Sequence, residues 1–139
     1  MMVEEYGIRR GSAGAGKFRG GMGTRRVYRI LDDDVMFNAY SDRFRILPWG
    51  LFGGQPGAPS QFTVERGGVL IHLGSKVNFP LRRGDRLIIE IAGAGGYGDP
   101  RERDRDAILR DIEFGFLTAE EAREQFGFDP EREPVEVIV

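Results

Sequence analysis

"GSAGAGKF" (residues 11–18) differs by one letter from G-x-x-x-x-G-K-[ST], the loop that cradles nucleotide phosphates. Gly11, Gly16 and Lys17 fall in place, but Phe18 stands where a Ser or Thr hydroxyl would hold Mg²⁺. A true phosphate loop joins a buried strand to a helix, which would make this an α/β protein with a parallel sheet. The flanks argue otherwise. "VEEYGIRR" before the loop is charged and is no buried strand. In "FRGGMGTRR" after it, Gly20, Gly21 and Gly23 would each cost a helix roughly 1 kcal/mol. The stretch is a glycine-built loop with other duties, and the rest of the chain must supply the fold.

Working outward, the β signals dominate. "TRRVYRIL" (24–31) and "DVMFNAYS" (34–41) read as two strands paired through a tight turn at Asp32 and Asp33. "PWGLFGGQPGAPS" (48–60) holds too much proline and glycine for any regular element. "QFTVERGGVLIHL" reads as a hairpin turning at Gly67-Gly68, with His72 facing away from the Val69, Ile71 and Leu73 side. A further strand spans 86–92 and runs into a second glycine loop. The tail turns helical. "DRDAILRDIEFG" carries Ile108, Leu109, Ile112 and Phe116 near helical spacing, with Gly115 as its stop. "TAEEAREQFG" opens on the capping box Thr118–Glu121 and closes on Gly127, about three residues beyond the first helix. Val135, Val137 and Val139 alternate as an edge strand. The fold expected is therefore α+β, with about five to seven strands, long Gly-rich loops and a C-terminal helical hairpin. One domain over 1–139 is expected: 1–98 β-rich, 99–128 the helical hairpin and 129–139 a tail.

Composition narrows function. The formal net charge of −2 gives no overall attraction to nucleic acid or membrane. Its distribution is uneven: residues 1–30 hold seven basic and two acidic side chains, residues 99–139 six basic and thirteen acidic. With no cysteine, disulfides and thiolate chemistry are excluded, and a cytoplasmic location is expected. The sequence shows neither a signal peptide nor a membrane span. A single histidine, His72, makes no metal site by itself. Twenty-one glycines, about twice the usual share, cluster in loops instead of spreading along the chain.

"GAGGYG" (93–98) satisfies G-x-G-x-x-G after a strand, yet Asp99-Pro100 interrupts where a dinucleotide-binding helix would begin. The order of longer motifs says more. "RRGSAGAGKFRGGMGTRR", "DRFRILPWGLFGGQPGAPS", "LGSKVNFPLRRGDRLIIEIAGAGGYGDPRERD" and "DIEFGFLTAEEAREQFG" follow one another. From about Glu5 to Gly127 the chain resembles the C-terminal part of the hydantoinase B/oxoprolinase family, the B component of ATP-dependent hydantoinases. Relatives of that family include a large subunit of acetone carboxylase.

The resemblance implies a component of an ATP-dependent cyclic-amide hydrolase that opens hydantoin or 5-oxoproline rings, not active alone. It implies partners: a hydantoinase A-like subunit carrying ATP, and an upstream hydantoinase B segment, with a small cyclic amide bound by the assembled complex. No cofactor is expected on this chain alone, and its residues suggest no metal site. The alternative is a non-catalytic interaction module completing a split hydantoinase- or acetone-carboxylase-like subunit. Lys17, Arg19, Arg43 and Lys76 are cations that such a site would use around phosphate or oxyanion, or else partners of nearby carboxylates. Trp49 reads as a packing anchor for its loop, ahead of a substrate-stacking role. Asp42 and Asp99 read as turn-stabilising carboxylates. Gly20, Gly21, Gly53, Gly54, Gly95 and Gly96 complete the candidate set, and their three loops are expected to converge on one surface.

Overall fold

The computed structural model describes residues 1–132; the alternating valines 135, 137 and 139 lie outside the described residues. The order is β1 (Met2–Ile8), β2 (Thr24–Arg29), β3 (Val35–Tyr40), β4 (Gln61–Arg66), β5 (Val69–Leu73), β6 (Lys76–Leu81), β7 (Arg86–Glu90), a 3₁₀ turn (Pro100–Glu102), α1 (Arg105–Glu113) and α2 (Ala119–Phe126). Among the described residues, seven strands and two helices near the C-terminus make an α+β fold, as expected.

All pairing between these strands is antiparallel. Five strands form one sheet in the order β1-β2-β7-β4-β5, and β3 pairs only with β6 in a second. The expected pairing of 24–31 with 34–41 is therefore wrong. β2 lies between β1 and β7, while Asp34, at φ 60°, turns the chain toward the other sheet. The apolar faces of the two sheets meet. Ile30, Val64, Leu81 and Leu87 are buried between them, with Phe37, Phe79, Ile71 and Leu73 packed against the cluster. β6 was not anticipated: Pro80 lies within it, tolerable because a two-stranded sheet leaves each strand a free edge.

β1, which contains "VEEYGI", is a strand despite its charge but, as expected, not a buried one. Every one of its residues is exposed. Cross-strand ion pairs hold it: Glu4 takes Arg86 at 2.7 Å, and Glu5 takes Arg25 at 3.1 Å. Such pairs on one sheet face contribute a few tenths to 1 kcal/mol each.

The β4–β5 hairpin turns on Gly67-Gly68, both with positive φ, as expected. His72 is exposed and points to the face opposite Ile71 and Leu73, within 3.2 Å of the Thr63 and Gln61 side chains. At the far end Thr118 and Glu121 close a full capping box, and Gly127 ends α2 in the left-handed conformation. Five residues, 114–118, separate the helices, against about three expected.

One buried carboxylate stabilises the turn between β6 and β7. Asp85 accepts from Arg66 Nε at 2.9 Å, Arg66 Nη2 at 2.6 Å and the Arg82 N–H at 2.8 Å. The Arg66 hydrogen bonds, with the Arg82 N–H, outweigh burial and hold its pKa below the ordinary carboxylate value. A folded-state pKa lowered in this way contributes stability that is complete above the unfolded value, near 4, and is lost as pH falls through the folded value. Asp85→Asn should therefore destabilise by about 2 kcal/mol at pH 7, with the gap from wild type narrowing progressively as pH falls below the unfolded value. Denaturant melts across an acid pH series check this; a gap independent of pH would refute it.

Candidate functional site

Between the sheet end and the helices, three glycine-rich segments lie against one another: 11–23, 48–60 and 93–98. The reason for glycine is contact. A Cβ on Gly20 would fall 2.1 Å from the Ala94 carbonyl oxygen, on Gly54 2.1 Å from that of Gly96, on Gly95 2.0 Å from that of Trp49, and on Gly96 2.1 Å from that of Ala15. Each neighbour is backbone, which cannot swing aside. Crowded pairs recur at a spacing of three, as in Gly20 and Gly23, Gly54 and Gly57, and Gly93 and Gly96. Three is the repeat of extended polyproline II-like chains, whose close bundling admits only glycine at the inner position.

Hydrogen bonds run between the segments. Gly14 N–H donates to Ala94 O, Leu51 to Gly96 O, Gln55 to Ala15 O and Ala58 to Ser12 O. The same bonds bear on the two nucleotide-like motifs. In "GSAGAGKF" the N–H groups of Gly14, Lys17 and Phe18 donate to Ala94, Gly98 and Tyr97 carbonyls. In "GAGGYG" those of Gly93, Ala94, Gly96, Tyr97 and Gly98 donate to Ala58, Gly21, Gln55, Phe18 and Leu51 carbonyls. A phosphate cradle needs free N–H groups converging on an anion; these are committed to carbonyl oxygens within the bundle.

The helices close one side of the bundle. Ala15 packs with Ile108, Ala122, Phe126 and Phe128, joining the first loop to the helical core. Asp111 on α1, buried, accepts both arms of Arg19 at 3.0 Å and Arg103 at 2.8 Å. Arg19 is thus a carboxylate-paired strut. Lys17 reaches Glu102 at 3.3 Å on the surface. Asp99, as expected, stabilises a turn: its carboxylate accepts the Arg101 N–H at 2.9 Å.

The other candidates divide. A Cβ on Gly21 would meet nothing within 4 Å, and Gly53, at φ 92°, sits near the Asp99 backbone. Trp49 is no buried anchor: the residue is 63% exposed, the Arg43 guanidinium lies 5.1 Å from its ring centroid, and its carbonyl makes the packing contact with Gly95. Arg43, itself at φ 63°, and Trp49 line an open groove of about 390 Å³. Lys76 opens β6 opposite Tyr40, in the smaller sheet. The structure brings together the glycines with Lys17 and Arg19, reaches Arg43 through Trp49, and leaves Lys76 apart.

Sequence reading missed what the bundle displays. Phe18, Leu51, Phe52 and Tyr97 are 63%, 52%, 78% and 48% exposed. Tyr97 bridges to Phe18 and Leu51 through backbone, and its ring centroid is 6.3 Å from Phe18 and 5.1 Å from Phe52. Beside this apolar rim opens a cavity of about 640 Å³, where Gln55, Asp99, Arg101, Glu124 and Gln125 face Phe52 and Gly53. The only signal in the sequence was large apolar residues embedded in glycine loops. Among the described residues no three or more His, Asp or Glu side chains group as a metal site, and no helix is long and apolar enough to cross a membrane.

An antiparallel sheet pair thus runs into an interlocked glycine bundle that is capped on one side by a helical hairpin and bordered by an exposed apolar rim. The chain belongs to the hydantoinase B/oxoprolinase family, whose model matches residues 1–100. An uncharacterised protein of Methanocaldococcus jannaschii is 45% identical over 112 residues, 81% of this chain and 20% of its own length. The B component of a putative D-/L-hydantoinase from a Pseudomonas species is 32% identical over 130 residues, 91% of this chain and 22% of its own. The crystal structure of the ATP-dependent caprolactamase from Pseudomonas jessenii superposes with a TM-score of 0.80 at 28% identity, covering 97% of this chain and 25% of that one. The chain thus spans about a fifth to a quarter of the length of these relatives.

Proposed function

We propose that this chain is a component of an ATP-dependent cyclic-amide hydrolase, opening hydantoin- or 5-oxoproline-type rings together with an upstream B segment and an A-like subunit that carries ATP. The observation that carries the reading is the family match over residues 1–100, in a chain a quarter the length of a related caprolactamase. Relatives named for hydantoin, 5-oxoproline and caprolactam all act on cyclic amides. Amide resonance makes such rings poor electrophiles, and phosphorylation of the carbonyl oxygen turns it into a leaving group. That step needs cations and N–H groups around phosphate and oxyanion. Here the bundle's N–H groups are largely committed, and Lys17 and Arg19 are ion-paired. The chain therefore contributes a rigid wall, with the Gln55, Asp99 and Arg101 cavity as its chemical face, and the ATP site belongs to the partner.

The same commitments favour a second reading, a purely structural module that completes the subunit. Reconstitution separates the two. Purified chain, upstream B segment and A-like subunit are combined, and ring opening of 5-oxoproline and hydantoin is followed with ATP hydrolysis. Activity is expected only with all three present. Ring opening by the chain alone, or undiminished activity when it is omitted, would refute the proposal. A Gln125→Ala variant that assembles normally but lowers kcat favours a catalytic wall; one with unchanged kcat favours the structural module.

A further inference from the structure

We propose that the rim formed by Phe18, Leu51, Phe52 and Tyr97 is the seat on which the remainder of a B-type subunit packs. This deepens, and rests on, the functional reading above. Four large apolar side chains from three different loops form one contiguous surface. At their exposures they offer roughly 450 Å² of apolar area, the size at which exposed patches mark interaction sites. The loops beneath are held by interlocking backbone hydrogen bonds, so the surface is pre-organised and loses little conformational entropy when covered.

The occupant follows from length. The related caprolactamase holds this same fold as a quarter of a longer chain, so further polypeptide adjoins the segment there without the entropic cost of bimolecular association. β1 points the same way: Val3, Tyr6 and Ile8 are all more than half exposed on an edge strand that no layer of the described residues covers. Such a strand gains stability from a covering layer. The partner surface is therefore apolar, and it belongs to the portion of the family's B component that lies outside the matched segment.

The test uses a defined partner: the Methanocaldococcus jannaschii relative with its matched segment deleted, co-expressed with this chain. Wild type should co-purify as a one-to-one complex. The double variant Phe52→Ser/Tyr97→Ser, altered only at exposed positions, should keep its thermal midpoint as a free chain and bind at least about tenfold more weakly. Val69→Ser/Leu70→Ser, a loss of exposed apolar area away from the rim on β5, should bind like wild type. Undiminished binding by the rim variant overturns the seat and leaves the functional reading standing. Failure of wild type to bind overturns both. A dimer of the chain alone in sedimentation, dissolved by the rim variant, overturns the seat in favour of a second copy.

Discussion

Gly54→Ala should remove a large share of the chain's stability, whereas Gly21→Ala, in the same family of loops, should be nearly neutral. The added Cβ at position 54 meets the Gly96 carbonyl oxygen at 2.1 Å, its carbon at 2.3 Å and the Tyr97 nitrogen at 2.8 Å. None of these atoms can move without breaking hydrogen bonds that tie all three loops together, among them Gly96 N–H to Gln55 O and Tyr97 N–H to Phe18 O. Overpacking a core usually costs 1–3 kcal/mol because side chains yield. Here only backbone is available to yield, so a cost above about 4 kcal/mol is expected, against a total stability of about 5–15. At Gly21 a Cβ meets nothing within 4 Å, and the change should fall within about 0.5 kcal/mol of wild type. Paired denaturant titrations decide the matter; equal midpoints for the two variants would contradict the interlocked bundle. The consequence for function is that Gly54 and Gly96 act through folding, so loss of activity in their variants reports loss of structure.

The second large effect is at Asp111. Asp111→Ala should lower stability by about 3–5 kcal/mol, the cost of removing one member of a buried ion-pair group. Arg103 is 9% exposed and would lose its carboxylate partner, and the half-buried Arg19 would lose both of its bonds to that carboxylate. In a domain of this size that is a fall of roughly 10–20 °C in melting temperature. Because Arg19 links the first glycine loop to α1, hydrogen exchange should speed up in both elements together. A variant melting within about 3 °C of wild type would show the triad to be a surface pairing of little weight. Asp111→Asn, which keeps shape and loses charge, is expected to fall between the two.

Local signals in the sequence translated well. The Thr118–Glu121 capping box, the Gly127 stop and the Gly67-Gly68 hairpin depend on residues within a few positions of one another, so their chemistry is written in adjacent letters. The rejection of a phosphate loop at 11–18 was equally local, resting on Phe18 and on glycines that no helix would accept. β1 was not legible, because its charges are stabilised by Arg25 and Arg86, about 20 and 80 residues away. The β2–β3 hairpin failed for the matching reason. Adjacent strands with a turn between them look paired, but β7 competed for β2 and β6 for β3.

The candidate site divides along the same line. That the glycine loops matter, and that their order resembles one family, could be read from the letters alone. Which glycines are indispensable could not. Gly20 and Gly21 are neighbours of identical type, yet one faces a carbonyl at 2.1 Å and the other open space. Arg19 and Arg43 look alike in sequence, yet one is held by a buried carboxylate and the other rests on an exposed tryptophan. The sequence by itself determined the α+β class, the helix ends, the hairpin turn and the family, because propensity, capping and motif order act over short spans of chain. Tertiary structure alone decided the partition into two sheets, the interlocking of the three loops and the exposure of Phe18, Leu51, Phe52 and Tyr97. Those depend on distances between segments far apart in the chain, and no run of adjacent residues encodes such a distance.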